Sequence, residues 1–206
     1  MADNLRRLLI QRAARLQERP AFTSPSWGRL SYSQFRNRVE GVAMGLLTDM
    51  RPAGTAIFCA TGTAWDWVSE VAAACCGLRW DAAGAIVDPD ILGGPRFNDE
   101  GGRGPYHQRE HDMDGSTLVS GKLDHAAMML GLQRMNRNLG WDHETEVRLP
   151  LAQLGAPEVR AALWCALYAG AHAILEEAAR TPGGLSARRA ARPAPFDPGP
   201  FSGFWS

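Results

Sequence analysis

A short apolar run ending in Ser120-Gly121-Lys122 and leading into an amphipathic stretch constrains this chain more than any other feature. A strand, a tight glycine turn and a helix in that order bring backbone N–H groups and a helix N-terminus together, as phosphate-binding loops do. Here the turn is short for that work. In Gly115-x5-Gly121-Lys122-Leu123, five residues separate the glycines where the Walker pattern has four, and Leu123 stands where a Mg²⁺-binding hydroxyl belongs. Beyond it come Leu149-Pro150-Leu151, a helical stretch from 157 to 168, and the apolar run Ala171-His172-Ala173-Ile174-Leu175. The expectation is a nucleotide-binding type of fold with its phosphate loop cut down.

The same alternation fills the first half. Asp3 or Asn4 is placed to cap a helix with Leu5, Leu8, Leu9, Ala13 and Leu16 inward, stopped by Pro20. Ser31 and Gln34 have capping-box spacing and open a helix with Phe35, Val39, Val42, Ala43, Leu46 and Leu47 inward. Residues 56–60 predict a buried strand. Residues 65–76 predict a small-residue helix with Trp65, Val68, Ala72 and Cys76 on one face, and 85–87 the next strand. Asp124 should cap a further helix carrying Met128, Met129, Leu132, Met135 and Leu139, and residues 146–149 a strand. Strands alternating with helices predict an α/β fold, a parallel or mixed sheet flanked by helices.

Two segments break the pattern. Residues 88–115 are rich in Gly, Pro and charge, and predict a long functional or poorly ordered loop. Residues 178–206 form a Pro/Gly/Arg-rich tail that cannot build a core of its own. Its Phe196, Phe201, Phe204 and Trp205 are too apolar for a solvated tail. They are the candidate partner-binding residues, and two placements stay open: folded back on the chain's own surface, or docked on another protein.

At 206 residues with 45% hydrophobic and 21% charged residues, the chain can bury a sizeable core. A formal net charge of zero gives no argument for nucleic acid or an anionic membrane. No apolar run reaches membrane-helix length. Arg6, Arg7, Arg12 and Arg15 interrupt any signal-peptide core, so a cytoplasmic protein is expected. Cys59, Cys75, Cys76 and Cys165 sit in apolar surroundings without zinc-ligand spacing, which predicts buried reduced thiols and no metal site.

The remaining motifs are weak. His107-Gln108-Arg109-Glu110-His111 fits the inverted zinc-protease pattern, but no apolar periodicity supports the helix that chemistry needs, so a solvated loop is expected. His125 and His172 are expected as packing or surface histidines. Ser120 has no assigned base and is preferred as a turn residue. Lys122 is expected as a solvated lysine, and Arg188, Arg189 and Arg192 as part of a basic tail that suits an acidic partner surface. No catalytic residue is nominated.

The order of the pieces resembles the N-terminal part of the adenylate-forming enzymes, which include acyl-CoA synthetases and peptide-synthetase adenylation domains. Arg19-Pro20-Ala21-Phe22, Gly28-Arg29-Leu30-Ser31-Tyr32-Ser33-Gln34-Phe35, the helix from 39 to 46, and Ala73-Ala74-Cys75-Cys76-Gly77 are similar to successive motifs of that family. Further on, Leu118-Val119-Ser120-Gly121-Lys122 resembles its phosphate loop, Leu149-Pro150-Leu151 its Leu-Pro-Leu motif, and Ala169-Gly170-Ala171-His172 a later one. The resemblance covers residues 3–177 and implies the first half of an adenylating enzyme's large domain.

The departures shape the expected function. Ser120, Gly121 and Lys122 are the remnant nucleotide-binding residues, while the Thr-Thr-Gly-x-Pro segment of the family loop is absent and Gln153 replaces the histidine of the Leu-Pro-Leu motif. The family's ribose-binding aspartate and catalytic lysine have no counterpart before residue 206. The resemblance therefore implies a truncated, degenerate relative over residues 1–177. It would be a non-catalytic accessory or structural subunit working through a protein partner or self-association, with no cofactor. The alternative is an enzyme component with a residual acyl or nucleotide site (ATP or AMP), alone or completed by a partner chain.

Overall fold

The computed structural model describes residues 4–48, 51–88, 106, 108–109, 113–177 and 196–205. Local sequence signals set most element ends. Helix α1 (Leu5–Leu16) starts at Asn4, whose side chain accepts from the Arg7 amide, 2.9 Å. It buries Leu5, Leu8, Leu9 and Ala13, as the periodicity predicts, and leaves Leu16 half-buried. It also buries Arg6, whose guanidinium lies 3.7 Å over the Tyr106 ring. Strands β1 (Pro20–Ser24) and β2 (Gly28–Ser31) pair antiparallel. Helix α2 (Tyr32–Leu47) opens with the expected capping box: Ser31 accepts from the Gln34 amide, and Gln34 Oε1 accepts from the Ser31 amide.

Strand β3 (Ala56–Phe58), helix α3 (Ala64–Cys75) and strand β4 (Arg79–Trp80) form a parallel β-α-β unit. The chain then crosses β3 to reach β5 (Ala85–Ile86) on its far side. Gly84 makes that crossing: a Cβ there would lie 2.6 Å from the Ala56 carbonyl carbon and the Ile57 nitrogen, so no other residue fits without displacing β3. Strands β6 (Leu118–Ser120) and β7 (Leu123–Asp124) form a hairpin. Helix α4 (His125–Leu139) is capped by Asp124. Strand β8 (Glu146–Pro150), helix α5 (Pro157–Ala169) and strand β9 (His172–Glu176) complete the alternation, with Pro157 in the first turn of α5 and Gly170 at its end.

The expected mixed α/β architecture is present, with the strands divided between two sheets. One has the order β2-β1-β9-β8, so strand β1 lies parallel to β9 from the far end of the domain. The other has the order β5-β3-β4-β6-β7. Helix α3 is buried on nearly every side. Of the expected face, Val68, Ala72 and Cys76 are buried and Trp65 packs half-buried on the core beside Trp27, ring centroids 4.6 Å apart; Trp67, outside that face, is buried as well. A line of rings runs through the core from Phe22 to Phe35, Trp67 and Trp164, with successive centroids 5.9, 6.5 and 5.0 Å apart.

The aromatic tail lies on the chain itself. Phe201 is buried beside Trp141 and Phe196, Phe204 covers Gly131 of α4, and the Trp205 indole donates to the Pro157 carbonyl, 2.7 Å. Of the two placements expected for Phe196, Phe201, Phe204 and Trp205, the structure has the folded-back one. Phe204 packs on α4 and Trp205 on α5, and with Phe196 they stay half-buried. Arg188, Arg189 and Arg192, the His107, Glu110 and His111 of the inverted zinc-protease pattern, and most of the 88–115 loop lie outside the described residues. Among the described residues no helix is long and apolar enough to cross a membrane.

Candidate functional site

The Ser120-Gly121-Lys122 turn is the two-residue connection of the β6–β7 hairpin. Gly121 has φ +55, while Lys122 keeps the ordinary negative φ, which is the hairpin turn that favours glycine at its first central position. Lys122 is exposed. Ser120 is buried, and its hydroxyl accepts from Arg160 Nη2, 3.2 Å. Thus Ser120 and Lys122 do not converge on a common point.

Arg160 leads to a polar cluster that sequence reasoning missed. It projects from α5 toward Glu70 of α3. Its Nε donates to Glu70 Oε2, 2.7 Å, and its Nη2 to Glu70 Oε1, 2.8 Å. The Trp164 indole also donates to Glu70 Oε1, 2.8 Å. Glu70 is 2% exposed, so this carboxylate sits in the core with its charge matched and its oxygens hydrogen-bonded, as a buried ion requires. Above Arg160 lies Trp205, with its ring centroid 4.6 Å from the guanidinium carbon. A signal for this cluster does exist in the sequence. Glu70 stands at the head of a run of small apolar residues in its helix, and Arg160 and Trp164 stand one helical turn apart in another apolar helix.

These residues border a cleft of about 80 Å³ outside the carboxyl ends of β3 and β4. Such crevices are where open α/β sheets hold ligands. Its walls are Phe58, Trp67, Trp80, Leu154 and Leu163, and its polar members are Cys59, Asp66, Glu70 and Arg160. Asp66 is held by its own loop, accepting from the Thr61 amide and hydroxyl, both 2.7 Å, and from the Gly62 amide, 2.9 Å. Cys59 donates to Asp66 at 3.3 Å. Burial, and then the neighbouring Asp66, push its thiol up to about 12, so it stays protonated and is a poor nucleophile near neutral pH.

Neither histidine lines the cleft. His125 is buried. Its Nδ1 accepts from the Leu5 amide, 3.3 Å, and its Nε2 has no hydrogen-bond partner among the described residues. Burial lowers its pKa to about 4. His172 lies on β9, 2.8 Å from Thr23 Oγ1 and 3.6 Å from Glu146 Oε1. Burial lowers its pKa, with Glu146 opposing. All four cysteines are free and buried, as expected. Among the described residues no group of His, Cys, Asp and Glu could hold a metal ion.

No protein-family model matches the chain, and no curated protein is significantly similar to it. Solved structures are similar in fold. The N-terminal subdomain of NpsA from Klebsiella oxytoca, in complex with 3-hydroxyanthranilyl-AMSN, superposes with a TM-score of 0.64 at 10% identity, over 85% of this chain and 54% of that one. The N-terminal domain of FACL13 from Mycobacterium tuberculosis gives 0.56 at 13% identity, over 85% and 57%. A four-domain nonribosomal peptide synthetase bound to AMP and glycine gives 0.63 at 13% identity, over 84% of this chain and 15% of that one. The chain spans about half the length of the first two. Element order, the paired sheets and these superpositions agree: the chain has the fold of the N-terminal subdomain of adenylate-forming enzymes.

Proposed function

We propose that this chain is a non-catalytic member of that fold, an accessory or structural subunit that works through protein–protein contact. One observation carries the reading. At the position of the phosphate-loop remnant the chain makes a tight hairpin, the Ser120 hydroxyl is engaged by Arg160, and Arg160 is itself paired with Glu70. Adenylyl transfer depends on positioned cations and hydrogen-bond donors around the phosphates. Here the nearest buried cation is neutralised, and Lys122 is left alone in solvent.

The reading also draws on the neighbours in fold. One is a four-domain synthetase in which the matched part is a small share of the chain. In that setting the subdomain works against further protein. An exposed apolar side chain is available at a sheet edge: Ile86 on β5 is 84% exposed. The test is purification at native expression level followed by native mass analysis, with calorimetric titration of the pure chain with ATP and AMP. The reading expects a fixed-ratio complex and no nucleotide heat. Stoichiometric ATP binding with turnover by the isolated chain would overturn it.

A further inference from the structure

We propose that the cleft between α3 and α5 binds a small, uncharged, mainly apolar molecule bearing one hydrogen-bond acceptor, and that it discriminates against carboxylates. The inference goes beyond the accessory role and does not depend on it. The walls supplied by Phe58, Trp67, Trp80 and Leu163 are aromatic or aliphatic. A volume of about 80 Å³ with an open mouth suits a single ring and a short substituent.

The polar corner defines the substituent. Arg160 uses Nε and Nη2 on Glu70 and Ser120, while its Nη1 makes no hydrogen bond within the described residues and is not among the buried unpartnered atoms. Two N–H groups on a guanidinium that lines the cleft are therefore open to an acceptor. The plane is fixed in advance, by the two-pronged pair with Glu70 along one edge and by Trp205 on one face. Preorganised donors of this kind cost little ordering entropy when a ligand arrives.

Charge excludes the anion. Glu70 cancels Arg160, and Asp66 leaves the cleft lining with a formal charge of −1. A carboxylate would add a second uncompensated negative charge to a partly desolvated cleft. A carbonyl or carboxamide oxygen takes the same Nη1 hydrogen bonds without that cost. A cation fares no better, because Asp66 already accepts from Thr61 and Gly62, and Glu70 from Arg160 and Trp164.

Benzamide and benzoate have nearly the same shape and differ in charge, so they test the proposal on the unmodified chain. Tryptophan indole resonances of the ¹⁵N-labelled protein are followed during titration at neutral pH. Benzamide is expected to give saturable shifts with a Kd on the order of 1 mM, and benzoate to bind at least ~10-fold more weakly. Ala60 is exposed and lines the cleft, so Ala60→Trp fills the site without touching the buried pair. It should abolish the benzamide shifts while thermal stability is kept. Benzoate binding as tightly as benzamide, no saturation by benzamide up to ~20 mM, or shifts that persist in Ala60→Trp would each overturn the proposal.

Discussion

The carboxylate of Glu70 and the guanidinium of Arg160 form a two-pronged pair, 2.7 and 2.8 Å long, between helices α3 and α5 at positions 90 residues apart. Removing one partner leaves a buried charge unmatched. Glu70→Ala should cost about 3–5 kcal/mol. Replacing both, as Glu70→Leu with Arg160→Met, should recover most of that loss, because two apolar side chains of similar volume carry no unpaired charge. Urea unfolding of the two variants measures the difference. A double variant no more stable than the single one would mean that the pair is needed for packing as well as for charge balance.

His125 ties the start of α1 to the start of α4, and its ring is neutral in the fold. Its pKa is about 4 against an ordinary 6.5. Above pH 6.5 both folded and unfolded chains carry it neutral, and its contribution is complete. Between 6.5 and 4 the unfolded chain binds the proton and the folded chain does not, so stability falls as pH falls. The loss through that window should reach about 3 kcal/mol. His125→Gln keeps an acceptor near the Leu5 amide but does not titrate, and should flatten that part of the curve of urea midpoint against pH. An unchanged slope would assign it to other groups.

Gly121 and Lys122 share one turn but should respond differently. No atom lies within 4 Å of the place where a Gly121 Cβ would sit, so the only cost of a side chain there is its positive φ. Gly121→Ala should lose about 1–2 kcal/mol, whereas Lys122→Ala should stay within about 0.5 kcal/mol of the parent. Chemical denaturation of both variants checks the contrast. A large loss for Lys122→Ala would reveal a contact of the lysine with the rest of the chain.

Gly131 reports how firmly the tail is seated. A Cβ there would approach Phe204 Cε2 to 3.3 Å. Alanine in a helix interior gains up to about 1 kcal/mol over glycine, and a half-buried ring near the chain end can move a few tenths of an ångström. Gly131→Ala should therefore stabilise by about 0.5 kcal/mol, and by about 1 kcal/mol when combined with Phe204→Ala. Thermal melts of the single and double variants, each against its own glycine parent, decide it. A lower Tm for the single variant would show Phe204 locked in place.

The features legible in the sequence were those that depend on neighbours a few positions away. Asn4, the Ser31–Gln34 box and Asp124 cap the helices as their spacing predicts, because a cap needs only the backbone of its own first turn. The resemblance in motif order pointed to the correct fold. Periodicity placed Val68, Ala72 and Cys76 inward along α3 but did not single out Trp67, because a helix buried on nearly all sides has no single apolar stripe to phase. The Glu70–Arg160–Trp164 cluster was passed over because a charged residue in an apolar helix does not reveal which residue 90 positions away will pair with it.

The sequence by itself determined the alternation of strands and helices, where most helices begin, and the shortness of the Ser120-Gly121-Lys122 turn, all set by local backbone chemistry and hydrophobic period. Only the tertiary structure decided that strand β1 pairs with β9, that the aromatic tail covers α4 and α5, and that Arg160 meets Glu70 at the edge of a cleft. Those outcomes join residues far apart in the chain. Their energies come from burial, pairing and desolvation, which exist only once both surfaces are brought together.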